Sequence, residues 1–339
     1  MPGVSVVVPA RDAEATLAAA LDSVLAQDYG GAVEAIVADG SETAATRELV
    51  RRRFPGVRVV PNPRGGISAG LNLALAAARH AVVARLDARA AWPSGYLARA
   101  VATLERSGAV NVGGRQHAAG TTRFERAVAL VTNTPLGAGG ARYRVGGREG
   151  PVETVFLGVF RRAALEAAGG WDEALLRSED YELNCRLRAL GGTVWFDPAL
   201  SVAYRPRGSL GALARQYFDY GRWKRAVLRR HPRSLRLRQA APPLLLAALA
   251  ASALLAVCGA VLAAGSFPAL APAAGPMLRA AAVFPAGYAL LLAASAGALG
   301  LGRRRAEAML APAVAATIHL AWAAGFFAGP PAVAGRGPR

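Results

Sequence analysis

Apolar residues in the first 240 positions come in short runs separated by amphipathic stretches; beyond that they fuse into three long blocks. Val4-Ser5-Val6-Val7-Val8, closed by Pro9, predicts a buried strand. In the next stretch Leu17, Leu21, Val24 and Leu25 share one helical face, with Asp12 placed to cap its start. Val33 to Ala38 predicts a second strand, ending at Asp39-Gly40-Ser41. A helix over 43–54, a strand from Val57 to Val60 and the loop Pro61-Asn62-Pro63-Arg64-Gly65-Gly66 follow. A helix over 67–79 carries Leu71 and Leu75, and the run Ala81 to Leu86 then predicts a strand that breaks at Asp87. Such alternation implies an α/β fold with a mostly parallel sheet and helices on both faces. Further on, Glu179-Asp180 open a helix in which Leu183, Leu187 and Leu190 share the buried side.

The three C-terminal blocks are Leu244 to Ala264, Ala280 to Leu301 and Met309 to Ala328. Each runs about 20 residues without a charge, enough to cross a hydrocarbon core as a helix. A buried helical hairpin is the alternative, and the alanine-rich third block has the weakest hydropathy. The expected organisation is a soluble domain over 1–240 and a membrane domain over 241–339 with about three transmembrane helices. Arginines crowd the approach to the first block (Arg222, Arg225, Arg229, Arg230, Arg233, Arg236, Arg238) and return as Arg303-Arg304-Arg305. The positive-inside rule then places residues 1–240 in the cytoplasm, in a multi-pass protein of the inner (cytoplasmic) membrane. The tail with Arg336 and Arg339 would lie outside, an exception to the rule. Met1-Pro2-Gly3 leads at once into the first predicted strand, so no signal peptide is expected.

Forty Lys+Arg against 22 Asp+Glu give a net charge of +18. The basic residues peak beside the apolar blocks, where anionic head groups attract them, so a membrane and not nucleic acid is the expected partner. Cys185 and Cys258 are far apart and predict neither a disulfide nor a zinc site. His80, His117, His231 and His319 have no acidic or Cys partners at ligand spacing and read as structural. The scarcity of acid sharpens two positions: Asp39 and Asp87 both end strands and share the sheet edge where α/β folds bind ligands. Either could be a turn or cap residue. Two of them beside a Gly-rich loop predict a nucleotide site.

The order of motifs resembles the family 2 inverting glycosyltransferases of GT-A fold. It begins with Val6-Val7-Val8-Pro9-Ala10-Arg11 and continues through Asp39-Gly40-Ser41, Asn62, Ser68, Asn72 and Leu86-Asp87-Ala88. Pro135-Leu136-Gly137, Gly169-Gly170-Trp171-Asp172-Glu173, Glu179-Asp180-Tyr181-Glu182-Leu183-Asn184 and Gln216-Tyr217-Phe218 with Arg222-Trp223-Lys224 extend it to about residue 240. The later set is similar to the succinoglycan-biosynthesis-type membrane glycosyltransferases.

That resemblance implies a GT-A nucleotide-sugar-binding domain followed by transmembrane helices. It implies Asp39 as acceptor for a base N–H, with Pro9, Arg11 and Asn72 also on the donor side. A diphosphate leaving group needs a cation, usually Mg²⁺ or Mn²⁺ held by Asp-x-Asp or Asp-x-His. Here the motif reads Asp87-Ala88-Arg89. Asp87 can ligate a metal; Arg89 has no acceptor and cannot. One carboxylate suffices, or Arg89 shares the ion's work at the diphosphate, or Arg89 points away and the site is weakened. Asp180 is implied as general base, supported by Glu179 and Glu182. Trp171 would be either a wall for a sugar ring in the acceptor site or a plain core residue. Gln216, Arg222 and Trp223 are placed by the resemblance at the acceptor and the membrane interface.

The expected function is transfer of a sugar from a nucleotide donor, UDP-linked, to a lipid-linked saccharide acceptor in exopolysaccharide or cell-envelope synthesis. The alternatives are a polyprenyl-phosphate glycosyltransferase and a degenerate protein that binds nucleotide sugar without turnover.

Overall fold

The computed structural model describes residues 1–265, 267–300 and 305–330. Leu301, Arg303, Arg304, Arg336 and Arg339 lie outside the described residues. The chain folds as two compact units, Met1–Ala118 with Ala141–Tyr204, and Ala119–Gly140 with Arg205–Arg339. The division falls after Tyr204, not near 240, and takes into the helical unit a stretch, 119–140, that no change of composition marks.

In chain order the elements are β1 (Val4–Ala10), α1 (Glu14–Leu25), β2 (Val33–Asp39), α2 (Ala45–Arg53), β3 (Arg58–Pro61), α3 (Ile67–Ala77), β4 (Val82–Arg85), α4 (Tyr96–Ser107) and β5 (Asn111–Ala118). Two short helices of the second unit intervene, α5 (Arg123–Thr132) and α6 (Pro135–Ala138). The first unit resumes with α7 (Arg142–Val145), β6 (Gly150–Pro151), β7 (Phe156–Arg161), α8 (Arg162–Ala167), α9 (Glu179–Ala189) and β8 (Val194–Tyr204). The helices α10 (Leu210–Arg230), α11 (Leu237–Ala263), α12 (Ala274–Gly300), α13 (Arg305–Ala308) and α14 (Ala311–Ala328) complete the second unit.

All eight strands form one sheet, in the order β3-β2-β1-β4-β7-β5-β8-β6. The half from β3 to β4 is parallel, as the alternation predicts. Strand β7 then runs antiparallel to both β4 and β5, and β6 antiparallel to β8, so the sheet is mixed. Alternate residues of β1 feed two cores: Val4, Val6 and Val8 pack with Leu17, Leu21 and Leu97 on one face, Val7 with Leu71, Phe160 and Leu183 on the other. A strand covered on both faces reads as a continuous apolar run, which explains the Val4–Val8 pattern.

Two local expectations need correction. Asp12 does not cap α1: the cap position is Ala13, and Asp12 itself sits at φ 46 with its N–H donating to Ser41 Oγ. Leu190 is 62% exposed, because α9 ends at Ala189; Leu183 and Leu187 alone of that trio are buried.

In the second unit, α5 opens with a capping box in which Thr122 and Glu125 satisfy each other's backbone N–H groups. Among the described residues, three helical stretches are long and apolar enough to cross a membrane: Leu237–Ala263, Pro268–Gly300 and Ala306–Ala328.

Candidate active site

The C-terminal ends of β2, β1 and β4 lie side by side, so the topology brings Asp39, Pro9 and Asp87 to one sheet edge. Asp39 is the last residue of β2 and is 4% exposed. Its Oδ1 accepts from the Ser41 N–H at 3.0 Å. Its Oδ2 is buried without a hydrogen bond, with Arg47 Nε 3.4 Å away. A buried carboxylate oxygen with an ion-pair neighbour but no hydrogen bond is under-satisfied, and a ligand N–H would complete it. Beside it, Gly40 packs against the 62–66 loop: a Cβ there would stand 2.9 Å from the Gly65 Cα and 3.2 Å from Asn62 Nδ2. Arg11 is exposed at this edge and pairs with Glu42 at 3.0 Å.

At the end of β4 the sequence pattern hides a charge. Arg85 occupies a strand position whose neighbours are all apolar, and it is 3% exposed. Its guanidinium gathers three carboxylates: Nε donates to Asp87 Oδ1 at 2.9 Å, and one terminal nitrogen donates to Glu179 Oε1 at 3.0 Å and Asp180 Oδ1 at 2.5 Å. Burial opposes the charged guanidinium, but Asp180, Asp87 and Glu179 together outweigh it, so Arg85 stays charged. Sequence reasoning missed this residue. The available signal was an arginine inside an otherwise apolar strand, because a buried charge has to be paired.

Glu179 and Asp180 are the first two residues of α9, as the sequence predicts, and a helix N-terminus favours acid. Ser178, just before them, is held in the left-handed region at φ 63, a strain of about 1–3 kcal/mol that sets the direction in which the helix starts. Burial pushes the Glu179 carboxyl up; Arg85 pulls it back, and the Asp180 charge pushes it up again. Asp180 differs from Glu179 in its freedom. Its Oδ1 accepts from both Arg85 and Trp171 Nε1, the latter at 2.9 Å. Its Oδ2 accepts no hydrogen bond among the described residues, on a side chain 26% exposed. Glu182 turns away and pairs with Arg186 at 2.7 Å.

Trp171 is 1% exposed and meets the Phe160 ring edge-on at 5.7 Å, so its indole is a core side chain with one polar handle on Asp180. Asn72 supports the same corner. Its Nδ2 donates to Trp171 O at 2.8 Å while its Oδ1 accepts from the Trp171 N–H at 2.8 Å. Gly170 (φ 71) makes this clip possible, since a Cβ there would stand 2.5 Å from Asn72 Oδ1. Asn72 therefore bears on the edge through the tryptophan loop.

Arg89 is exposed and makes no ion pair among the described residues. Gln216, Arg222 and Trp223 lie on α10 of the other unit. Gln216 Nε2 donates to Tyr220 Oη at 3.0 Å, Arg222 Nε to Gly329 O at 2.8 Å, and Trp223 is 5% exposed.

No group of three or more His, Cys, Asp or Glu among the described residues is arranged to hold a metal. The charge count nevertheless fits one: three carboxylates face a single guanidinium, and Asp87, 36% exposed, has one oxygen outside the Arg85 bond. Hard oxygen donors of this kind suit Mg²⁺ or Mn²⁺, which take one or two protein carboxylates and complete their shell with phosphate and water.

A family model described as glycosyl transferase family 2 matches residues 5–169. The succinoglycan biosynthesis protein ExoA of Rhizobium meliloti (strain 1021) is 34% identical over 297 residues, covering 86% of this chain and 84% of that protein. Among solved structures, the mannosyltransferase PcManGT from Pyrobaculum calidifontis, in complex with GDP-Man and Mn²⁺, shares the fold. It aligns at TM-score 0.58 and 21% identity over 94% of this chain and 86% of that one.

Proposed function

The chain belongs to glycosyl transferase family 2, and on that footing we propose that it transfers one sugar from a nucleotide donor to a lipid-linked saccharide by a single inverting displacement. The observation that carries the reading is Asp180: one oxygen fixed by Arg85 and Trp171, the other open. A general base needs that combination, a fixed direction and a free lone pair.

In this reading the nucleobase N–H meets Asp39 Oδ2, and the burial of that oxygen without a hydrogen bond supports the assignment. Pro9 and Arg11 border the same pocket. The diphosphate lies toward Asp87, whose free oxygen would hold a divalent cation together with the phosphates. That cation, when bound, supplies positive charge to the departing diphosphate. As the acceptor oxygen forms its bond to the anomeric carbon, the bond to the diphosphate breaks. The hydroxyl proton passes to Asp180 Oδ2, and the sugar's configuration inverts. Arg85 holds Asp180 in place; Glu179 and Asp87 share the guanidinium's charge. Asn72 and Trp171 act as positioning residues through the loop they fix. Gln216, Arg222 and Trp223 belong to the membrane-side unit and to acceptor delivery.

The apolar C-terminal helices support a membrane-held acceptor. The relative's part in succinoglycan biosynthesis favours an exopolysaccharide or cell-envelope glycan, with the catalytic unit on the cytoplasmic side. The test is a screen of UDP- and GDP-sugars against membranes holding the full chain, with lipid extract, EDTA and added Mn²⁺. One donor is expected to label the lipid fraction, with EDTA abolishing and Mn²⁺ restoring transfer. Labelling confined to a water-soluble acceptor would overturn the lipid-linked reading, and transfer indifferent to EDTA would overturn the cation at Asp87.

A further inference from the structure

Three stretches have the length and apolarity of membrane spans, but their surroundings differ. Only 11% of the Leu237–Ala263 window and none of the Pro268–Gly300 window is buried by the rest of the chain, against 33% for Ala306–Ala328. The first two pack on each other: Gly259 of α11 lets Leu278 of α12 approach, so that a Cβ there would stand 3.0 Å from the leucine Cγ. Their outer faces carry uncovered leucines and valines, Leu254, Val257 and Leu290 among them. That is the exterior of a lipid-facing hairpin.

The third helix is held by polar contacts at its start, its middle and its end. At the start, Arg126 of α5 pairs with Glu307 at 2.8 Å and Arg123 donates to Ala306 O at 3.0 Å. In the middle, His319 Nε2 lies 2.8 Å from Leu136 O of α6. At the end, α10 supplies the cap: Arg225 donates to Phe327 O at 2.5 Å and Arg222 to Gly329 O at 2.8 Å. Between these points Ala311, Val314, Ala315 and Ile318 form a helical stripe packed on Ala127, Val128 and Val131 of α5 and Leu213 of α10. Helices α10 and α14 touch backbone to backbone, since a Cβ on Gly221 would stand 2.0 Å from Trp322 O and one on Gly325 1.9 Å from Phe218 O.

Helix α14 also touches the hairpin, where His319 Nδ1 lies 3.0 Å from Tyr288 Oη of α12 and Leu292 and Leu299 pack on its apolar stripe. Its other two partners, the α5–α6 segment and α10, cannot cross a bilayer. The α5–α6 segment leaves the first unit after Ala118 and re-enters it at Ala141, so it begins and ends on one side. Helix α10 carries Arg215, Asp219, Arg222, Lys224, Arg225, Arg229 and Arg230. Each such charge costs about 2.5–3.5 kcal/mol at the centre of a membrane helix even on the lenient insertion scale. A crossing α14 would carry its C-terminal carbonyls about 30 Å from its first turn, to the far head groups. The arginines that cap those carbonyls would have to follow.

We propose that the chain crosses the membrane twice, through α11 and α12, and that α14 lies with α5 and α10 as a helical platform against the lipid head groups on the side of the first unit. Met309 and Phe327, at the two ends of α14, are 75% and 51% exposed and dip into the apolar boundary. The arginines of α10 face anionic head groups.

The test needs no catalytic assignment. In a full-length chain with Cys185 and Cys258 replaced by Ser, single cysteines are introduced at Arg52→Cys in the first unit, Ala271→Cys between α11 and α12, and Pro330→Cys after α14. Intact spheroplasts and inside-out vesicles are then treated with a membrane-impermeant maleimide. Pro330→Cys is expected to follow Arg52→Cys in both preparations, within about twofold, and to be opposite to Ala271→Cys. Labelling of Pro330→Cys in the pattern of Ala271→Cys overturns the proposal. Because a half-covered cysteine can resist the reagent, the full chain is also fused at its C-terminus to a fluorescent protein or to alkaline phosphatase. Fluorescence without phosphatase activity upholds two crossings, and phosphatase activity without fluorescence establishes three.

Discussion

Two arginine–carboxylate assemblies in the first unit use the same chemistry to opposite ends. On β8, Asp197 is fully enclosed and its oxygens accept four hydrogen bonds: two from Arg99 (2.8 and 3.0 Å), one from Thr103 and one from the Ala199 N–H. Burial pushes this carboxyl up, and the donors together bring it below its ordinary value. One anion has its acceptor sites filled. At the end of β4 the ratio is reversed, with three carboxylates sharing one guanidinium and an Asp180 oxygen left over. A saturated carboxylate can only hold structure together. An under-satisfied one still has something to give a substrate.

The largest effect that separates the two is expected at Arg85. Arg85→Met leaves Glu179 and Asp180 with no cation, and breaking a buried pair in this way costs about 3–5 kcal/mol. A fall in melting temperature of the detergent-solubilised protein, together with lost sugar transfer, is expected. Retention of both would remove the guanidinium from the account. Asp197→Asn keeps shape and loses charge-assisted bonds, for about 1.5–3 kcal/mol, the half-exposed Arg99 keeping it toward the lower end. Transfer per folded molecule should stay within about twofold of wild type, and a large loss would erase the contrast.

The pH dependence of that difference has a definite sign. The folded Asp197 carboxyl lies below its ordinary 3.8, so its stabilisation is complete above that value and fades as pH falls below it. The melting-temperature gap between wild type and Asp197→Asn should therefore be flat at neutral pH and close below about pH 4. A gap that widened in acid would contradict the assignment. Glu125, at the start of α5, is the smallest case. Hydrogen bonds from the Thr121 hydroxyl and N–H and the Thr122 N–H, aided by Arg205, push it down to about 2. Its contribution should fade between about 4.5 and 2, and Glu125→Gln should cost about 1 kcal/mol, measured by thermal melts at neutral pH.

Much of this was legible in the sequence where local pattern decides the outcome. The run Val4–Val8 had to be a strand covered on both faces, and Asp39 and Asp87 had to reach one edge once the elements alternated. The acidic pair at the start of α9 was visible because helix phase places it. Arg85 was not, since a single charge in a six-residue apolar run looks like noise until Glu179 and Asp180, about 95 residues away, are seen to share it. The antiparallel insertion of β7 was also hidden, because strand order depends on long-range pairing. The 119–140 segment has no compositional mark, and only the contacts of α5 with α14 assign it to the helical unit.

Sugar transfer by Asp180→Asn, measured on membranes beside the wild type at equal folded protein, bears on the central claim most directly. Substitution of a general base typically costs 10²–10⁴-fold. A loss of about that size is predicted, with donor binding and melting temperature nearly unchanged, since Arg85 keeps two carboxylates. Transfer within about threefold of wild type would show that the open oxygen of Asp180 takes no proton in the reaction.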